Sequence, residues 1–241
     1  MGGWALIPSW PITITELNTF KSLHLVQYKK YTESEPEMQI NQNALNEQLL
    51  QATQRGGKEA VLKLLQDGAD INVRDAQGRT SLMIATYQHN THMVRTLLQA
   101  GADVNIRDNN KENPLLHAGA QGWLDILRLA IEAHADTRLT NRFGGISIIP
   151  ASERGHVEVV RELLTRTDIN VNHVNNLGWT ALLEAIILSN GDKAHQQIVQ
   201  LLVDHGADVN LADKDGVTPL QHARERRFTE IERILLQAGA H

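Results

Sequence analysis

The chain has 241 residues, 23 Lys and Arg against 28 Asp and Glu, and a net charge of −5 with histidine neutral. That length suits one or two globular domains, and the mild acidity lacks the electrostatic footprint of a nucleic-acid binder. Cysteine is absent, which excludes disulfide scaffolds, Cys-ligated zinc, iron–sulfur ligation and thiol catalysis. With 41% hydrophobic but only 4% aromatic residues, the core has to be built from Leu, Ile, Val and Ala.

Residues 1–41 carry half of the aromatics, at Trp4, Trp10, Phe20, Tyr28 and Tyr31. The apolar start is broken by Pro8 and Pro11, lacks a positive leader and makes a poor secretory signal. Thr13 and Glu16 have capping-box spacing ahead of Leu17, Phe20 and Leu25, and residues 32–37 read as a polar linker. The segment reads as a poorly ordered extension; a helix docked on the first repeat unit, or translation starting at Met38, are the alternatives. No run of eighteen apolar residues occurs, so no transmembrane helix is expected.

From residue 42 the chain repeats itself. Gly-Ala-Asp-x-Asn occurs at Gly68–Asn72, Gly101–Asn105 and Gly206–Asn210, with degenerate copies at His134–Asp136 and Gly239–Ala240. Gly68 to Gly101, Gly101 to His134 and Gly206 to Gly239 are each 33 residues apart. Gly-x-Thr-x-Leu follows at Gly78–Leu82, Gly178–Leu182 and Gly216–Leu220, and weaker forms hold the slot at Lys111–Leu115 and Gly144–Ile148. Each unit predicts a tight turn, a short helix capped by Thr80, Thr180 or Thr218, and a second helix. Pro114 and Pro219 fit a first helical position, and Gly68, Gly101 and Gly206 fit left-handed helix ends. The second helices carry apolar stripes: Met93, Val94, Leu97, Leu98; Ile126, Leu127, Ala130, Ile131; Val159, Val160, Leu163, Leu164.

These residues and this period resemble the ankyrin repeat, and in detail the small bacterial ankyrin proteins. The resemblance covers residues 42–241 in units of 42–74, 75–107, 108–140, 141–174, 175–212 and 213–241. It implies an all-α solenoid of six helix-turn-helix units with short β-hairpin tips, behind an extension at 1–41. One unit cannot bury its apolar face alone, so the end units should turn polar outward. Arg224 and Glu232 stand in the last unit where earlier units have Ile186 and Val199, and the first helix of the first unit is rich in Asn, Gln and Glu. The array therefore reads as two-ended, and its polar ends argue for a monomer.

Departures are informative. The histidine of the usual Thr-Pro-Leu-His is replaced by Met83, Leu116, Ile149, Leu183 and Gln221, which predicts apolar packing at that layer. Pro150 falls about one turn inside a first helix and marks the fourth unit for distortion. The fifth unit has five extra residues between its helices, near 189–195, read as a tolerated loop.

No nucleotide, nucleophile-elbow or zinc-protease signature is present. His89 and His92 read as solvated turn residues rather than metal ligands, His117 as a packed interface histidine, and His156 as part of a structural turn. Glu158 and Glu162 read as a solvated helix face. Neither enzyme activity, cofactor nor metal is expected. The resemblance instead implies a protein–protein interaction module, with an unidentified protein partner along the concave groove and hairpin tips. Its candidate contacts are Tyr87, Arg107, Glu112, Arg142, Phe143, Arg154, Leu177, Trp179, Ile187 and Leu188. Phe143, Leu177, Trp179, Ile187 and Leu188 are large apolar residues at slots that normally face water, beside arginines. The structural alternative packs Ile187 and Leu188 under the longer loop and Trp179 on a neighbouring tip. Neither nucleic acid nor membrane is expected as a partner. A cytoplasmic protein is the first reading of location; an exported or host-directed bacterial effector using the same groove is the alternative.

Overall fold

The computed structural model describes residues 41–241. The extension at 1–41, with its aromatic residues, capping box and Met38, lies outside the described residues but for its last position. The chain divides into two compact units, residues 1–45 and 46–241. In the first, residues 41–45 are helical. The second holds the repeats.

Helix α1 occupies residues 41–54. It is followed by α2 (Lys58–Gln66), α3 (Ser81–Tyr87), α4 (Thr91–Gln99), α5 (Pro114–Gln121), α6 (Leu124–Glu132), α7 (Ile148–Glu153), α8 (Val157–Arg166), α9 (Ala181–Ile187), α10 (Lys193–Asp204), α11 (Pro219–Glu225) and α12 (Thr229–Gln237). From α3 onward, every substantial helix–helix contact joins helices of one unit or of adjacent units. The chain is thus an all-α solenoid in which cohesion comes from nearest neighbours.

Local chemistry sets the helix starts. The hydroxyls of Thr80, Thr180 and Thr218 accept the N–H groups of Met83, Leu183 and Gln221, and Asn113 does the same for Leu116. Pro114 and Pro219 each open a helix, where a missing N–H leaves no bond unmade. Val94, Leu127, Val160 and Val199 are fully buried in the row of second helices. Met83, Leu116, Ile149 and Leu183 are buried too, so the layer that lacks the usual histidine is closed by apolar packing.

The tips are tight turns with one recipe. Asp75, Asp108, Asn141, Asn175 and Asp213 each accept the N–H groups two and four residues ahead. A backbone bond from each of these residues to the carbonyl four residues on closes the turn, and no described residue lies in a strand.

Pro150 sits differently from its expected place. Helix α7 starts one residue late, so Pro150 is its third residue, in the first turn, where no carbonyl within the helix awaits its N–H. The cost falls on the entry. Ser147 is already helical (φ −56°, ψ −30°), makes no cap, and its buried Oγ has no hydrogen-bond partner.

The insertion in the fifth unit is anchored. Asp192 caps α10 by accepting from the His195 N–H, and His195 is buried, its Nδ1 2.8 Å from Asp192 and its Nε2 3.0 Å from the Glu153 carbonyl oxygen.

Candidate functional site

Between the tips and first helices of the third to fifth units lies a groove of about 430 Å³. Its floor comes from one slot of the first helices, occupied in turn by His117, Pro150 and Glu184. Its rim comes from the tips and helix ends, where Phe143 is 56%, Leu177 53% and Leu188 48% exposed. Together they form an exposed apolar patch within one concavity.

Seven of the ten candidate contacts line this groove: Tyr87, Glu112, Arg142, Phe143, Arg154, Leu177 and Leu188. The other three do not. Arg107 donates from Nη1 to the Thr140 carbonyl at 2.8 Å, tying one tip to the next. Trp179 and Ile187 are half-buried and stand outside the groove lining. Two residues that tip-and-rim reasoning passed over, His117 and Glu184, supply its floor. The signal was in the spacing: they share a first-helix slot with Ile84, Pro150 and His222, and a charged residue in an otherwise buried row marks a groove-facing position.

The electrostatics divide the groove. At one end the Tyr87 hydroxyl donates to Asp108 Oδ2 at 2.6 Å. Burial and the Asp108 carboxylate push the Glu112 carboxyl up to about 7, against the opposing pull of Arg142 and Arg154. Glu112 Oε2 is buried without a hydrogen-bond partner. His117 lies edge-on to Tyr87 and Trp123, and burial lowers its pKa against the opposing pull of Asp108. At the other end Asn175 Nδ2 donates to Glu184 Oε1 at 2.7 Å, and burial with the nearby Glu153 raises the Glu184 carboxyl to about 7. The Arg142 guanidinium rests 4.7 Å from the centre of the Phe143 ring, and Arg154 Nη1 donates to the Ala120 carbonyl at 2.6 Å.

His89 stacks on Trp123 (4.1 Å between centres) and bonds Asp125 at 3.1 Å, which gives it a structural partner across the unit boundary. Among the described residues no three His, Asp or Glu side chains gather so as to hold a metal ion, and no helix is long and apolar enough to cross a membrane.

The architecture has close counterparts. The family model of ankyrin repeats matches residues 49–141, 119–213 and 149–241. The ankyrin repeat protein YahD of Escherichia coli (strain K12) is 46% identical over 191 residues, covering 79% of this chain and 95% of that one. An ankyrin repeat domain from Acinetobacter baumannii AYE has 54% identity and a TM-score of 0.78, covering 80% of this chain and 98% of its own. The ankyrin repeat domain of Bcl-3, of the IkappaB protein family, has 26% identity and a TM-score of 0.72, covering 80% and 86%. Repeat period, turn-capped helix pairs and these likenesses converge, and the chain belongs to the ankyrin-repeat family.

Proposed function

We propose that this protein is an interaction module that docks a protein partner along the groove of the third to fifth units. Ankyrin repeats are in general protein-interaction modules. The observation that carries the reading here is the rim of exposed Phe143, Leu177 and Leu188 around a polar floor. Apolar anchors beside arginine match the make-up of interface hot spots. Arg107 and Trp179 then serve the scaffold, and Tyr87, Arg142, Arg154 and Glu112 shape the docking surface.

The test is retention from native bacterial lysate on the immobilised full chain, compared with Leu177→Asp. Leu177 is exposed, so the variant should keep its melting temperature. A saturable protein retained by the parent and lost by the variant supports docking in the groove. If no protein saturates the parent, or the variant retains the same one equally, the reading falls.

A further inference from the structure

The two ends of the groove are not equivalent, and the difference points to the chemistry of the partner. At the Glu112 end the carboxyl has two cations in its field, Arg142 and Arg154. At the Glu184 end no cation among the described residues acts on the carboxyl. The charged neighbour of Glu184 is a second carboxyl, Glu153, and neither forms an ion pair among the described residues. Arg142 is held over the Phe143 ring, and Arg154 reaches away to the Ala120 carbonyl, although it follows Glu153 directly in sequence. His195, packed against the end of α7, bonds the Glu153 main-chain oxygen rather than its carboxyl.

Glu184 is only 6% exposed, and the sole hydrogen bond to its carboxylate within the described residues comes from Asn175 to Oε1. Glu184 lines the groove, and among the described residues no donor bonds its Oε2. A buried acid beside a like charge is costly to keep ionised unless a cation arrives. The exposed Leu177 and Leu188 flank the same end.

We propose that the partner presents a lysine or arginine next to a bulky apolar residue, the cation lodging between Glu153 and Glu184 and the apolar side chain resting on Phe143, Leu177 and Leu188. The proposal rests on the reading of the groove as a protein-docking surface. It assigns Glu153 and Glu184 the role of specificity determinants: they select a basic segment and reject an acidic one through like-charge repulsion.

The experiment pans a random peptide library on the full chain and on Glu153→Gln, Glu184→Gln and Leu177→Asp. Glutamine keeps the shape of Glu184 and can still accept from Asn175, so folding is preserved and melting curves verify it. Enriched peptides should carry Lys or Arg beside a large apolar residue. As synthetic peptides in fluorescence anisotropy, they should lose about ten-fold or more in affinity on either glutamine variant, as expected when one member of a desolvated charge pair is removed. Peptides that depend on Leu177 but carry no basic residue, or bind the glutamine variants unchanged, would overturn the proposal while leaving the groove reading intact. Peptides indifferent to Leu177, or no enrichment at all, would overturn both.

Discussion

The side-chain carbonyl of Asn105 accepts the backbone N–H of Asp136 at 2.7 Å. The same bond joins Asn72 to Asp103, Asn172 to Asp208 and Asn210 to His241. The asparagine of Gly-Ala-Asp-x-Asn, and Asn172 in the same slot of the fourth unit, is thus a clamp between successive units. The ladder misses one step. Arg138 fills the asparagine slot in the third unit and pairs with Asp136 of its own unit, while Thr137 Oγ1 bonds Asp168 instead. Asn105→Ala should leave the Asp136 N–H without its partner and cost about 1 kcal/mol. Arg138→Ala, at an exposed pair, should leave stability nearly unchanged. Urea unfolding of both variants separates the two roles.

Gly122 and His156 make a second clamp. Gly122 has φ +75°, and a Cβ there would come within 2.6 Å of His156 Nδ1. The imidazole cannot easily withdraw, because its Nε2 sits 3.2 Å from the Ala120 carbonyl oxygen. Gly122→Ala should therefore cost about 2 kcal/mol or more, combining left-handed backbone strain with the collision. In Gly122→Ala with His156→Ala the collision disappears, so the double variant should be more stable than the sum of the singles predicts. A thermal-unfolding double-mutant cycle reads this coupling directly.

Helix starts, the buried stripe and the unit count were legible because each is a local or periodic property. A Thr or Asn cap, a proline at a first position and a 33-residue echo all report the backbone without knowledge of neighbours. Side-chain assignments across units were less legible. Arg107 and Arg142 flank the turn residues of adjacent tips, Asp108 and Asn141, yet one bonds the next tip and the other lies on a phenylalanine. Pro150 was displaced in register because α7 starts one residue late, a shift that periodicity alone does not encode. Glu162, read as a solvated face, bridges Arg128 and Arg166, since the helix beside it places Arg128 within 3.0 Å. Glu184 escaped attention because a lone glutamate in a first helix looks like any surface acid until its neighbours bury it.

Glu112 makes stability depend on pH with a defined sign. Its carboxyl ionises at about 7 in the folded chain against an ordinary value of 4.5. The folded state therefore holds this proton more tightly than the unfolded chain does. The resulting stabilisation is fully present below about 4.5 and is lost as pH rises through about 7. Glu112→Gln should match the parent near pH 5 and exceed it by about 1–2 kcal/mol near pH 8, after allowance for solvent screening. Taking the difference between the two proteins at each pH removes the opposing contribution of His117 and His156, whose burial lowers their pKa and favours the folded state as pH rises. Chemical denaturation across that range checks the prediction; a difference that stays constant, or grows toward acid, contradicts it.

Arg224 and Glu232 pair at 2.8 Å on the outward side of the last helix pair. They occupy the slots that Ile186 and Val199 fill in the fifth unit, where both are fully buried against the next unit. As an exposed ion pair the contact itself contributes little, less than about 1 kcal/mol. Its consequence lies in what the two residues replace. Isoleucine and valine here would present the face that every inner unit offers its neighbour, with no further unit among the described residues to cover it. Arg224→Ile combined with Glu232→Val should therefore drive concentration-dependent self-association, visible in sedimentation velocity as a rising weight-average coefficient. Glu232→Ala alone, which removes the ion pair without adding apolar surface, should shift stability by less than about 0.5 kcal/mol and leave the sedimentation profile unchanged. The contrast assigns the polar pair to keeping copies apart rather than to holding the last unit on.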